Sequence, residues 1–390
     1  MIIFNTIKQY LKVILVEIVN LILLIFWIFP VRNNQIYFSA YNGQYCCNPK
    51  YIYEFFNKTY KDRFIYIWVG IGNENMCYAN TIFIKKKSLK HIYYLLTSKI
   101  IVANTHFSSY IPFKKNQILI NTWHGGGAYK KIGLINIEKF RAIYILYALR
   151  KMSKNTNYFI SSNSVFTEVI AESMFLEKFK FLPYGMPRND IFFNSSLNRD
   201  AIKNRIGIEQ SKSIILYAPT FRSENKDNKS EINYNDLGYS SVIEAARKRF
   251  NKEFILLYRY HHLMKNINIE NSLYLNVSAY PDIQELLYIT DIFITDYSSS
   301  MWDFSLMYRP GFLFTPDIHE YEEDQGLYTP ISQWPFPFST TLQQLCESIL
   351  NFDEERNVEK IKQHHNVLGS YEDGNATKKI ADLIIKALEE

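Results

Sequence analysis

The chain has 390 residues, 47% of them hydrophobic and 21% charged, so it is too apolar to be disordered and too long for one ordinary core; two domains are expected. Its formal net charge of +6 is modest for that length. It falls short of a nucleic-acid signature and suits weak attraction to anionic lipid or phosphorylated substrates. The four cysteines, Cys46, Cys47, Cys77 and Cys346, include no C-x-x-C pair, which argues against a zinc ribbon or thioredoxin-type site; adjacent Cys46 and Cys47 are poorly spaced for a disulfide framework, and a reducing cytosol is the default compartment.

Residues 1–30 are not followed by a small-residue cleavage site, so a signal peptide is not expected. Val13 to Phe29 is nearly all apolar, broken by Glu17 and Asn20, at the short edge for a span of roughly 20 residues. On a helical wheel Asn5, Lys8, Gln9, Lys12, Glu17 and Asn20 share one half. The expectation is a helix lying in or dipping into the cytoplasmic leaflet, with a true span and a buried core helix as alternatives.

From Gln35 onward, short β-rich runs alternate with helical ones. QIYFSAY precedes the helical PKYIYEFFNKTY; FIYIWVG and a basic turn at Lys85, Lys86 and Lys87 lead to SLKHIYYLLTS. KIIVANTHF and QILINTWHGGG are strands, IEKFRAIYILYALRKM is helical, NYFISSNS precedes VFTEVIAESMF, and KFKFLPYG closes the set. Asn194 to Ser211 is polar, carries one short helical pattern and reads as the connection between domains. A second set follows. SIILYAPTF is a strand, SENKDNKSEINYNDLG a loop, SVIEAARKRF a helix, and FILLYRYH and SLYLNVS strands. Asp282 and Glu285 form a capping box before DIQELLYIT; DIFITD, SSSMWDFSLMY and GFLFTPD read as strand, helix and strand. In ATKKIADLIIKAL, Ile380, Leu383, Ile384 and Leu388 share a face. The continuous apolar strands and their alternation with helices predict an α/β chain of two open, Rossmann-like parallel-sheet domains. The expected division is 1–30 membrane-associated helix, 31–200 first domain, 201–390 second domain, the two domains facing a cleft ringed by strand C-termini.

Four polar clusters stand at strand ends. Trp123-His124-Gly125-Gly126-Gly127, with Lys130 and Lys131 beyond, offers a histidine on a glycine loop, able to take a proton from a hydroxyl near pH 7; a turn-bound histidine is the alternative. Tyr184-Gly185-Met186-Pro187-Arg188-Asn189-Asp190 carries one cation, Arg188, for a phosphate or for an ion pair within the loop. In Arg259-Tyr260-His261-His262, Arg259 and His261 are two apart and would share one side of a strand, facing a diphosphate; His262 reads as exposed. Asp296-Tyr297-Ser298-Ser299-Ser300 lies between strand and helix and suits either a phosphate or simple N-capping. Neither G-x-x-x-x-G-K-[ST] nor G-x-G-x-x-G occurs, which removes support for a P-loop ATPase or a Rossmann dehydrogenase.

These clusters resemble the CDP-glycerol glycerophosphotransferase family, the teichoic acid primases and polymerases and their capsule-associated relatives. The resemblance rests on YNGQYCCNPKYIYE, NTWHGGGAYKKIG, SSNSVFTEVI, YGMPRNDIFF, ILYAPTFR, LLYRYHH, DIQELLYITDIFITDYSSSMWDFSLMYRP and YEDGNATKKI, in the family's order. It implies a fold of the glycosyltransferase B type, attachment to the cytoplasmic membrane face and a CDP-glycerol donor bound mainly by the second domain; no acidic cluster suggests an obligatory metal, and no cofactor beside the donor is expected. It implies that His124 and His261 are essential and that Arg259, Asp296, Ser298 and Ser299 lie near the donor phosphates. Gly126 and Gly127 stand where polymerases often carry Thr-Pro, and His262 where a Pro is usual. The expected reaction moves a polyol phosphate, glycerol or ribitol, from its CDP donor to a hydroxyl of a lipid-linked or growing teichoic or capsular polymer, releasing CMP. A sugar-nucleotide glycosyltransferase of the same architecture and an inactive membrane scaffold are the rival expectations.

Overall fold

The computed structural model describes residues 2–70, 80–133, 143–194, 197–220, 238–260 and 274–389. The chain divides into two units, Met1–His124 with Ile132–Phe193 and Ser370–Glu390, and Gly125–Lys131 with Asn194–Gly369.

The first unit holds seven strands, β1 (Arg32–Ser39), β2 (Ile65–Val69), β3 (Thr81–Ile84), β4 (Ser98–Ala103), β5 (Ile118–Asn121), β6 (Tyr158–Ile160) and β7 (Phe181–Leu182), in the order β3-β2-β1-β4-β5-β6-β7. Every pairing is parallel. Tyr37, Phe38, Ile67, Trp68, Ile101 and Val102 are all shielded from water. A parallel sheet covered on both faces buries both sides of each strand, which is why these strands read as unbroken apolar runs. Among the covering helices are α2 (Cys47–Thr59), α3 (Leu89–Thr97), α4 (Ile143–Asn155) and α5 (Ser164–Ser173). Ser88 and Asn163 cap α3 and α5 by accepting from the amides of His91 and Phe166. The β3 strand escapes the sequence pattern because it is four residues at the sheet edge with only one of its side chains, Ile84, fully buried.

In the second unit β8 (Ser213–Tyr217), β9 (Phe254–Tyr258), β10 (Tyr274–Asn276), β11 (Ile292–Thr295), β12 (Gly311–Phe314) and β13 (Phe338–Ser339) run β10-β9-β8-β11-β12-β13, again all parallel. Its helices include α6 (Arg199–Ile206), α7 (Tyr239–Phe250), α8 (Ile283–Ile289), α9 (Ser300–Ser305), α10 (Ile318–Asp324), α11 (Leu342–Leu350) and α12 (Glu354–Leu368). The sequence pattern leaves β13 and α10 to α12 unassigned. The β13 strand is two residues long, and α12 carries the largely polar EERNVEKIKQHHNVL.

Two boundaries differ from the sequence expectation. The 194–211 stretch is no free connection: Arg199 of α6 donates to the Ile289 carbonyl at 2.7 Å and to Asp291 at 2.9 Å, inside the second unit. The expected second domain, 201–390, also loses its end. The last helix, α13 (Ala376–Glu389), joins the first unit, burying Ile380, Ala381 and Ile384 there. Asp190 fixes its start, accepting from the amides of Ala376 at 3.0 Å and Thr377 at 2.7 Å.

The N-terminal helix α1 (Ile2–Leu23) runs into a 3-10 turn, Leu24–Ile28. Of its polar side chains, Gln9, Glu17 and Asn20 face the protein, while Lys8 and Lys12 stay exposed. Gln9 accepts from the Tyr144 amide, Glu17 pairs with Lys151 at 3.0 Å and bonds Tyr147, and Asn20 donates to the Tyr110 carbonyl at 3.1 Å. Its apolar side chains, among them Leu11, Leu15, Leu21 and Ile22, point outward. The buried-core-helix alternative is therefore overturned.

Candidate active site

In a doubly wound sheet, ligands meet the carboxyl ends of the strands where the order reverses. In the first unit that point lies between β1 and β4, and Tyr41, Asn104 and His124 follow β1, β4 and β5. His124 is half-buried, and its Nδ1 lies 2.8 Å from the Asn104 carbonyl oxygen. A carbonyl only accepts, so Nδ1 carries the proton and the neutral ring holds its lone pair on Nε2. Trp123 stacks on the imidazole at 4.3 Å and 28°, and Tyr41 meets it edge-on at 5.3 Å. Trp123 also meets His106 at 5.2 Å.

Arg188 is held inside the first unit rather than standing out in the solvent. It is 4% exposed, and its Nη1 donates to the His124 carbonyl at 2.7 Å and contacts Cys47 Sγ at 3.3 Å. Around it, Glu372 accepts from the Met186 amide and from Asn189 Nδ2, both at 3.0 Å. So YGMPRND and YEDGN, nearly 190 residues apart, form one hydrogen-bonded loop pair in the first unit. Asn48 joins them to the histidine strand: its Nδ2 donates to the carbonyls of Thr122 at 2.9 Å and Trp123 at 3.0 Å, and its Oδ1 accepts from the Arg188 amide at 3.1 Å.

Gly126 and Gly127 after His124 stand where a side chain has no room. Gly125, Gly126 and Gly127 are buried in the second unit, and a Cβ on Gly126 would sit 2.0 Å from the Trp302 indole. Lys130 bridges Leu327 in antiparallel fashion, and the Lys131 amide donates to the Gly326 carbonyl at 3.0 Å.

In the second unit the order reverses between β8 and β11, and the residues beyond those strands meet directly. The Asp296 carboxylate accepts from the Thr220 amide at 2.9 Å and 3.0 Å and from its hydroxyl at 2.9 Å. Ser298 Oγ accepts from the Ser300 amide at 3.3 Å and hydroxyl at 2.8 Å, whereas the Ser299 side chain makes no capping bond. At six residues, α9 contributes only a small dipole. Arg259 lies past the end of β9, so the same-side argument for Arg259 and His261 has no described strand beneath it. Its Nη1 donates to the carbonyls of Tyr280 at 2.6 Å and Val277 at 3.3 Å. His261, His262 and the loop 223–237 lie outside the described residues.

The structure thus joins Arg188 to His124 in one unit and gathers Asp296, Ser298 and Arg259 around neighbouring strand ends in the other. Sequence reasoning missed Asn48, Asn104 and Thr220. Asn48 and Thr220 sit inside quoted motifs, but nothing local distinguishes a buried amide that cross-links strands from a turn former. No group of three or more His, Cys, Asp or Glu able to hold a metal occurs among the described residues.

Residues 21–386 match the family described as CDP-Glycerol:Poly(glycerophosphate) glycerophosphotransferase. The chain is 30% identical to the teichoic acid poly(glycerol phosphate) polymerase of Bacillus spizizenii, over 95% of this chain and 97% of that one. It is 29% identical to the teichoic acid glycerol-phosphate transferase of Staphylococcus aureus, over 91% and 94%. A solved structure of the wall teichoic acid polymerase TagF with CDPG superimposes with a TM-score of 0.81 at 25% identity, covering 99% of this chain and 98% of that one. The two parallel sheets accordingly share the glycosyltransferase-B-like fold of that polymerase.

Proposed function

The chain belongs to the CDP-glycerol:poly(glycerophosphate) glycerophosphotransferase family, and from that premise we propose that it transfers glycerol phosphate from CDP-glycerol to a hydroxyl of a teichoic acid chain, releasing CMP. The observation that carries this is the likeness over nearly all of both chains to a polymerase solved with CDPG. An acceptor hydroxyl attacks the phosphorus that bears the glycerol. The new oxygen–phosphorus bond forms as the bond to the bridging oxygen breaks, and CMP departs. His124 is the base, since an imidazole protonated on Nδ1 can take the hydroxyl proton on Nε2. The second unit holds the donor: Ser299 offers a hydroxyl not engaged in capping, and Arg259 a guanidinium able to pair phosphate oxygens. Asp296 keeps the Thr220 loop in place. His261 is assigned the charge developing on the leaving phosphate. Arg188 positions the histidine turn, and no phosphate contact is assigned to it.

The acceptor is lipid-linked and the protein works at the cytoplasmic membrane face. In support, Thr6–Ile28, 23 residues, is long and apolar enough to cross a membrane. Its apolar side faces outward, and the exposed Lys8, Lys12, Arg150 and Lys154 suit anionic headgroups. The deciding experiment offers purified full-length protein CDP-glycerol, CDP-ribitol and UDP-sugars with a teichoic acid acceptor. CMP release from CDP-glycerol is expected. UDP release from a UDP-sugar would make the chain a glycosyltransferase, and no turnover of any donor would leave the scaffold reading.

A further inference from the structure

Trp123, just before His124, adopts φ +50°, a left-handed conformation that L residues with a bulky side chain enter only when their surroundings force it. Its carbonyl, and that of Thr122 before it, accept from one amide, Asn48 Nδ2. Asn48 is wholly buried in the first turn of α2. Its orientation is unambiguous: two carbonyls can only accept from an NH2, and the Arg188 amide can only donate to Oδ1. Arg188 in turn donates its guanidinium to the next carbonyl along, that of His124. Three consecutive carbonyls, 122 to 124, are thus held by two side chains, and one of these, Asn48, also accepts from the backbone amide of the other's residue, Arg188.

We propose that Asn48, with Arg188, is a positioning residue for the transfer reaction: it locks the left-handed Trp123 turn so that His124 Nδ1 stays on the Asn104 carbonyl and Nε2 faces the acceptor hydroxyl. This rests on His124 being the base. Without the lock, Trp123 relaxes toward ordinary φ values, the imidazole rotates off Asn104, and the proton no longer has a single nitrogen to prefer. A buried Asn serving only as core glue would lower stability and leave the turnover of folded protein unchanged.

Asn48→Asp keeps the acceptor for the Arg188 amide but sets a carboxylate oxygen against two carbonyls. Asn48→Ser keeps one donor without adding charge, and serves if the first variant fails to fold. In the full-length protein each folded variant is expected to lose kcat, by roughly 100-fold for a misplaced catalytic group, with KM for CDP-glycerol nearly unchanged. In 15N-histidine-labelled protein the His124 resonances, assigned by their loss in His124→Ala, should report a protonated Nδ1 in the wild type and a tautomer mixture in either variant. Wild-type kcat and an unaltered tautomer in folded Asn48→Asp or Asn48→Ser, beside an inactive His124→Ala, would overturn the positioning role alone. A His124→Ala protein that turns over CDP-glycerol normally would remove the base assignment, and this inference with it.

Discussion

Asp296 is a carboxylate almost wholly buried, and a buried charge persists only where donors surround it. Thr220 supplies two, an amide and a hydroxyl, across the reversal point of the second sheet. Asp296→Asn would turn an NH2 toward one of those donors and forfeit a charge-assisted bond, about 1.5–3 kcal/mol. The urea midpoint should fall accordingly, and CDP-glycerol affinity with it if the Thr220 loop lines the donor site. Neighbouring serines separate structure from binding. Ser298→Ala removes the acceptor for Ser300 and should cost about 0.5–2 kcal/mol of stability, as lost caps do. Ser299→Ala should leave the midpoint in place and weaken CDP-glycerol binding by about 0.5–1.5 kcal/mol, read by calorimetric titration. Loss of stability alone in both would assign these serines to the fold and not to the donor.

On α12 two adjacent histidines are packed away from water. His364 presents Nδ1 to the Gln333 carbonyl at 3.0 Å and accepts from the Tyr129 hydroxyl at 3.0 Å, and His365 bonds Ser305 at 2.8 Å beneath Trp302. Burial pushes both down to about 4, with the Lys360 ammonium adding to it at His364. The unfolded chain would bind protons near pH 6.5 that the folded chain refuses. Stability is therefore whole above that value and is lost as the pH falls from about 6.5 toward 4, on the order of 3 kcal/mol per histidine. Urea unfolding followed across that window should flatten in a His364→Gln, His365→Gln double variant; an unchanged slope would trace the acid sensitivity to other groups. The first helix makes a different kind of prediction. No residue from Thr6 to Val31 is buried, while Leu23 and Phe26 lean on the first core and Trp27 bonds the Pro112 carbonyl. Removing residues 1–21 should release the protein from membranes and leave folding and turnover of a soluble acceptor analogue intact. Retention in the membrane fraction would assign anchoring to another surface.

Across the whole chain, the polypeptide passes between its two units four times, at 124/125, 131/132, 193/194 and 369/370. The last passage brings α13 back to the first sheet, where Asp190 caps it, Glu372 braces the Met186 turn and Arg63 pairs with Glu389 at 2.8 Å. Burial raises the Asp190 carboxyl, and only the Thr377 and Ala376 donors hold it back. A chain ending at Gly369 strands that carboxylate and exposes the Ile380 and Ile384 contact surface. The first unit should lose at least about 3 kcal/mol, since each fully buried aliphatic side chain contributes about 1.5–3 kcal/mol. A truncated protein that melts with the full chain would show the helix to be dispensable to that core.

Sequence by itself determined the α/β class, since short unbroken apolar runs alternate along the chain with helical periods, and it determined the motif set, since His124, Arg259, Asp296 and the serines stand where apolar runs stop. It also marked two faces on the first helix. Which face meets the protein was left to tertiary structure, because a wheel with one polar and one apolar half fits a core or a bilayer equally well. The same holds for the bonds that set the site. Asn48 reaches its carbonyl partners across 74 positions, Asp296 reaches Thr220 across 76, and Glu372 reaches Met186 across 186. No local pattern encodes such a pairing. Gly126 reads as a loop residue until Trp302 fills the space its side chain would need, and Arg188 reads as a phosphate ligand or a loop ion pair, while the bond its guanidinium makes to the His124 backbone is written only in the fold. These outcomes follow from which strand ends the parallel order brings side by side, and that order exists only once the sheets are formed.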